Sequence, residues 1–125
     1  VDLPGYGFAK VPREVRDAWG PMVEGFLQRK RDSIVLAVLL VDARHDPAGM
    51  DRTMGEWLAA AGIRCLVVGT KADKLSGNGR SRSLKTIQAV FGEIADVAGT
   101  VLASAKNGLG TREIWKHLDQ VLGTG

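Results

Sequence analysis

Five consecutive residues, Gly69-Thr70-Lys71-Ala72-Asp73, stand directly behind the apolar stretch Leu66-Val67-Val68. That places them at the C-terminal end of a buried strand, where open α/β sheets bind their ligands. An Asp there presents two carboxylate oxygens side by side to a planar edge that carries two adjacent N–H donors. The ring N1–H and exocyclic amine of guanine make such an edge, and adenine offers no such pair. Lys71 is placed to lay its alkyl stem along one face of the base, while Thr70 braces the loop through neighbouring backbone. The same residues would also serve a plain polar strand-to-helix loop with a surface Lys and Asp.

Two further stretches bear on that choice. Asp2-Leu3-Pro4-Gly5 leaves an apparent strand end and enters the Gly-rich loop Gly5-Tyr6-Gly7, where missing side chains allow close backbone approach to a phosphate. Asp2 would hold a metal-bound water beside that phosphate, and the Gly5 N–H would point at the terminal phosphoryl group. Ser104-Ala105-Lys106 supplies backbone N–H groups for a carbonyl such as guanine O6, and Lys106 would cover the other face of the base. Each stretch alone also reads as an ordinary turn. The three together, in this order and at domain-scale separations, point to one nucleotide site.

Composition sets outer limits. The 125 residues are enough for one domain, and 45% apolar with 25% charged residues are ordinary globular values. The longest apolar run, Ile34 to Val41, falls short of the ~18 residues of a membrane span. Cys65 is the single cysteine and reads as a buried hydrophobe in a reducing compartment, so a cytoplasmic location is expected. A net charge of +3 permits an acidic partner such as RNA without requiring one. The two His show no metal spacing with each other or with Cys65. Val1 is no initiator Met, and Val1-Asp2-Leu3 reads as the end of a strand, so the sequence is expected to be a piece of a longer chain.

The elements that would position these stretches alternate between strand and helix. Val15, Trp19, Met22, Val23, Phe26 and Leu27 recur at helical spacing from Pro12 to about Arg31, with a kink or a fresh helix start predicted at Gly20-Pro21. Ile34–Val41 is continuously apolar and predicts a strand buried on both faces, ending at Asp42, which caps the next loop. A helix from near Met50 to Ala61 turns Met54, Trp57 and Leu58 inward and stops at Gly62. A strand from Arg64 to Val68 precedes the first motif. Ser76-Gly77-Asn78-Gly79 reads as a flexible loop and Ser81 as the cap of a helix burying Leu84, Ile87, Val90 or Phe91, and Ile94. A last strand, Thr100 to Ala103, and a helix from about Thr111 to Leu122 burying Ile114, Leu118 and Val121 complete the chain, with Trp115 flanking that helix face. Asp42, Asp73 and Ser104 are evenly spaced, as strand ends of successive strand-helix-strand units would be, so a parallel three-layer α/β sheet is predicted.

The extended strings are more specific than the short motifs. Asp2-Leu3-Pro4-Gly5-Tyr6-Gly7-Phe8-Ala9-Lys10-Val11, Trp19-Gly20, Val41-Asp42-Ala43-Arg44-His45 followed by Pro47, and Leu66 to Leu75 together resemble the C-terminal two-thirds of the EngB (YihA/YsxC) family of bacterial ribosome-biogenesis GTPases. The resemblance implies a P-loop GTPase-like (Ras-like) α/β fold in which residues 1–125 form a partial G domain, without its first strand, P-loop, first helix and switch I. It implies GTP or GDP and Mg2+ as ligands, the metal through Asp2 and water. Asp2, Leu3, Pro4, Gly5, Thr70, Lys71, Ala72, Asp73, Ser104, Ala105 and Lys106 would be the nucleotide-binding residues. It also implies a monomer that works on the large ribosomal subunit, through rRNA and ribosomal proteins, with a linked role in cell division and septation.

Two positions depart from the family pattern: Pro21 within a helix and Ser-Ala-Lys where a Ser-Ser form is usual; Tyr6, part of the resembling string, stands where many small GTPases outside the family carry the Gln that orients water. No catalytic base is assigned. In the implied fold the P-loop strand lies between the strands ending at Asp2 and at Asp42. The chain by itself is therefore expected to bind GTP weakly or undetectably and not to hydrolyse it, to expose the Ile34–Val41 edge, and to leave its last helix short of packing surface. A GTPase-like module that contacts rRNA or ribosomal protein without turnover is the alternative. A flavodoxin-like or receiver domain would explain the fold but not the pairing of Thr-Lys-Ala-Asp with Ser-Ala-Lys.

Overall fold

Cys65–Thr70 is the strand on which the sheet is built, because its residues from Cys65 to Gly69 are all buried and flanked by helices on both faces. In the computed structural model, which describes residues 13–123 and side chains from residue 20 onward, this strand is β2. It runs parallel between β1 (Ala37–Asp42) and β3 (Val97–Leu102). The register pairs Asp42 with Thr70 and Gly69 with Leu102. The three C-terminal strand ends therefore lie along one edge, and the loops that follow them emerge together.

Period-two alternation sorts the strand residues into two cores. Leu39, Val41, Cys65 and Val67 pack with Val23 and Leu27 of α1 (Arg13–Lys30), Met54 and Leu58 of α2 (Met50–Ala60), and Ile87 and Phe91 of α3 (Gly77–Ile94). On the opposite face Leu66, Val68 and Val101 pack with Leu36, Ala103 and Ile114, the last from α4 (Thr111–Leu122). Each fully buried Leu, Ile or Phe contributes on the order of 1.5–3 kcal/mol, so the first core carries most of the hydrophobic stabilisation. Burial pushes the Cys65 thiol up to about 11, which keeps it protonated and unreactive.

Several sequence expectations are corrected. α1 is one helix through Pro21 rather than two with a fresh start there; one missing N–H bond in an 18-residue helix is offset by burying Val23 and Leu27, while Met22, a neighbouring position turned away from that face, is exposed. β1 begins at Ala37, not Ile34, and is buried on one face only, with Val38 46% and Leu40 59% exposed, because α4 packs against β3 rather than over β1. β2 extends to Thr70, so the first motif starts inside the strand. Ser76, not Ser81, caps α3: its Oγ accepts the Gly79 N–H at 3.1 Å, which turns the expected flexible loop into a first helical turn. Of the two alternatives Val90 and Phe91, the structure selects Phe91 for the fully buried position. β3 starts at Val97 and passes through Gly99. In α4, Ile114, Leu118 and Val121 are half-buried rather than buried, since this single helix meets its sheet face without a described helical neighbour. The strand ending at Asp2, the loop Asp2-Leu3-Pro4-Gly5 and the side chain of Trp19 lie outside the described residues.

Entry into α4 depends on one glycine. Gly110 precedes the helix with φ 80°, and a Cβ at that position would run into the Leu102 carbonyl oxygen and the Ala103 Cα, which are backbone atoms of a strand end and have nowhere to go. Left-handed geometry costs a non-Gly residue roughly 1–2 kcal/mol before any collision. Gly110→Ala is therefore expected to lower stability by at least ~2 kcal/mol and Tm by roughly 5 °C or more. Thermal unfolding followed by circular dichroism reads this directly, and an unchanged Tm would show that the turn relaxes freely.

Candidate functional site

The loops after β2 and β3 are sewn into one unit by backbone bonds. Ala103 N–H donates to Gly69 O at 2.8 Å and Ala72 N–H to Ala103 O at 3.1 Å, which continues the β2–β3 ladder beyond the strands. Across the other flank, Ala43 N–H donates to Thr70 O at 2.9 Å and Thr70 Oγ1 donates to Val41 O at 3.1 Å. Thr70 thus braces the loop as its sequence position suggested. Space is tight at Gly69: a Cβ would stand 2.7 Å from a Leu102 methyl and 3.1 Å from an Ile87 methyl, so those side chains would have to shift to admit one.

Beyond Thr70 the chain turns sharply. Lys71 has φ 61° and ψ 29°, the sole left-handed non-Gly residue among those described, and a single 3₁₀ turn, Ala72–Lys74, follows. Left-handed geometry at a Lys is strained, and strain of this kind gathers at functional loops. Ala72 is fully buried and anchors the turn, which leaves Asp73 partly exposed at the rim.

Asp73 meets the third motif directly. Ser104 Oγ donates to Asp73 Oδ1 at 2.7 Å. This hydrogen bond is the chief cause that lowers the Asp73 pKa, with the Lys74 and Lys106 charges adding in the same direction. Asp73 is therefore an acceptor-only carboxylate at neutral pH. Ser104 is buried and its own N–H is spent on Leu109 O at 3.0 Å, while the Lys106 N–H is spent on Ser104 Oγ at 3.1 Å. Only the exposed Ala105 amide of this triplet has no hydrogen-bond partner among the described residues. The general expectation of backbone donors at Ser104-Ala105-Lys106 thereby narrows to one N–H.

These groups rim a single depression of about 550 Å³ lined by Thr70, Lys71, Asp73, Ser104, Ala105 and Lys106, with Leu40, Val68 and Ile114 at its apolar side. Its size and mixed lining suit a planar heterocycle. Leu40, Val68 and Ile114 were not legible as lining residues, because only the strand register and the α4 approach bring them to the rim. Asp2, Leu3, Pro4 and Gly5 lie outside the described residues. Among the described residues no group of three or more His, Cys, Asp or Glu is arranged to hold a metal ion, and no helix is long and apolar enough to cross a membrane.

Asp42 caps its loop as expected, with Oδ1 accepting the Arg44 N–H at 2.9 Å. The Arg44 guanidinium also grips the carboxylate side-on, Nε to Oδ1 at 3.0 Å and Nη2 to Oδ2 at 2.8 Å. Sequence reasoning missed this role of Arg44, although an Asp two residues before a donor is a known local turn signature.

Amino-acid identity ties the chain to known proteins. It is 41% identical over 119 residues to the probable GTP-binding protein EngB of Halothermothrix orenii, covering 94% of this chain and 59% of that one. It is 42% identical over 125 residues to the protein of the same name from Geobacter metallireducens, covering 100% and 60%. The chain thus spans about three-fifths of the length of the curated relatives it matches. Among solved structures, a probable GTP-binding protein EngB shares the fold with a TM-score of 0.84 at 23% identity, over 99% of this chain and 76% of that one. Apo translation elongation factor SelB from Methanococcus maripaludis does so with 0.77 at 21% identity, over 100% and 25%. No family model matches the chain.

The Arg44 hydrogen bonds bring the Asp42 pKa down to about 2 from 3.8, against the opposing effect of burial. A carboxylate whose folded pKa is depressed stabilises the fold fully above the unfolded value, and that contribution fades as pH falls through the folded one. The stabilisation from Asp42 should accordingly be complete above about pH 4 and disappear towards pH 2. Carbon-detected NMR of the Asp42 carboxyl is expected to show a midpoint near 2 that rises on Arg44→Ala; a midpoint at ~3.9 in the unaltered protein would dissolve the pair.

Proposed function

From the premise that this chain belongs with the EngB GTP-binding proteins, to which it is about 40% identical along its whole length, we propose that it carries the base-reading half of a guanine-nucleotide switch. The observation that supports this best is the pairing of the Asp73 carboxylate, fixed by Ser104, with the Ala105 N–H, which has no partner among the described residues.

Donor and acceptor matching gives the mechanism of recognition. Asp73 Oδ2 and the remaining lone pair of Oδ1 accept from guanine N1–H and its amine, and the Ala105 N–H donates to O6. Adenine would set its N1 lone pair against the carboxylate and its own amine against the Ala105 N–H. The stems of Lys71 and Lys106 cover the two faces of the ring, and Thr70 and Ala72 hold the loop from behind. The triphosphate and Mg2+ call on groups beyond these: Asp2, Leu3, Pro4 and Gly5 are the sequence candidates, and the described residues offer no ligand set for the metal. GTP hydrolysis is proposed for the protein with its phosphate-gripping segment, not for the base-reading half alone.

Asp73→Asn tests the base assignment. The carboxamide loses an acceptor and gains a donor, which matches xanthine, whose carbonyl replaces the guanine amine. Each charge-assisted bond lost is worth about 1.5–3 kcal/mol. Amide shift titration with nucleoside monophosphates should show guanine preference in the unaltered chain and xanthine preference in the variant; an unchanged guanine preference removes Asp73 from the site.

We further propose the large ribosomal subunit as partner. The family resemblance supports this, as do Lys74, Arg80, Arg82 and Lys85, which gather with Lys71 around the start of α3. Side chains that meet rRNA phosphates displace counterions, so co-sedimentation with purified large subunits should fall steeply with added salt. Salt-independent association would turn the proposal towards protein contacts. A role in cell division would act through the same switch.

A further inference from the structure

Asp42 does not itself line the depression, yet the end of β1 is what the loop bearing Lys71 is fastened to. The register sets Asp42 beside Thr70. Val41 O and Ala43 N–H hold the Thr70 side chain and carbonyl at 3.1 and 2.9 Å. Both links stop at the residue before Lys71. The third link alone reaches the lysine side chain: Asp42 Oδ2 lies 3.8 Å from Lys71 Nζ.

We propose that Asp42, gripped side-on by Arg44, is a positioning residue for the guanine site: it anchors the Lys71 ammonium at the strand edge so that the lysine stem lies along the cavity wall where the base stacks. This rests on the guanine reading above. Lys71 Nζ is otherwise the free end of a long stem whose side chain is 58% exposed, and a ligand that immobilises such a stem loses affinity to the lost rotamer freedom. A stem already held loses less. Arg44 makes the anchor rigid, because its guanidinium and backbone N–H fix the carboxylate on both oxygens and leave a lone pair of Oδ2 towards Lys71. Asp73 is the other carboxylate near Arg44, but Ser104 holds it towards the β3 side of the cavity. Asp42 is therefore the carboxylate available to hold the lysine without competing for the base.

The test is a double-mutant cycle on the 125-residue chain, read as backbone amide shifts on addition of guanosine or adenosine 5′-monophosphate at millimolar concentration. Asp42→Asn keeps an oxygen for the Arg44 N–H and so preserves the turn, which amide dispersion checks. Asp42→Asn is expected to weaken guanosine monophosphate binding roughly two- to fivefold, the range of a partly exposed ion pair, and the loss should shrink with added salt. Lys71→Met should weaken binding as well, and in that background Asp42→Asn should cause no further loss. Additive losses, with guanine preference intact, would overturn the role of Asp42 alone. Absence of guanine preference in the unaltered chain would overturn the reading of the site and this inference with it.

Discussion

Burial of β2 on both faces is the constraint from which the rest of the architecture follows. A strand whose residues from Cys65 to Gly69 are all buried must have both rows of backbone groups paired with neighbouring strands, because an unpaired buried amide costs on the order of 1–3 kcal/mol. β1 and β3 supply that pairing in parallel register, and parallel register requires crossover helices. The alignment of the three C-terminal ends is then a by-product of hydrophobic burial. The loops carrying residues 70–73 and 104–106 meet there because they have no other common edge.

At that edge polar forces take over, and their magnitudes differ. The exposed contacts of Lys71 with Asp42 and of Arg64 with Asp96 belong to a class worth ~0–1 kcal/mol. The Ser104–Asp73 bond has a charged acceptor and a buried donor, so it belongs to a class worth about 1.5–3 kcal/mol. It also occupies one side of carboxylate oxygen Oδ1. Loop shape is set by the backbone bonds through Ala72, Ala103 and Thr70, which are strong enough to hold Lys71 in left-handed geometry. The weak ion pairs act on side-chain direction rather than on fold.

The two faces of the sheet are not equivalent. Among the described residues three helices cover one face and α4 alone meets the other, where Val38, Leu40 and Trp115 remain exposed. The helix nearest the Ser104-Ala105-Lys106 loop is therefore the one with the least buried surface, and its entry relies on the left-handed Gly110. The edge where the loops carrying residues 70–73 and 104–106 emerge combines a rigid β2 core with a more lightly held flank.

Sequence by itself determined the strand-helix alternation, the parallel sheet and the grouping of Thr70, Lys71, Ala72, Asp73, Ser104, Ala105 and Lys106, because apolar periodicity and strand-end position are local properties of the chain. Cys65 as a buried hydrophobe and Asp42 as a loop cap were legible for the same reason. Tertiary structure decided what depends on neighbours. An apolar run such as Ile34–Val41 does not say how many of its faces are covered, and β1 proved to be covered on one. Ser76 or Ser81 could each cap a helix, and the bond from the Gly79 N–H to Ser76 Oγ starts α3 at Gly77. Which amide of Ser104-Ala105-Lys106 stays free depended on the carbonyl of Leu109 folding back onto Ser104. The reach of Asp42 to Lys71 needed the register of two strands distant in sequence, because that side-chain distance is fixed by backbone pairing that no local pattern encodes.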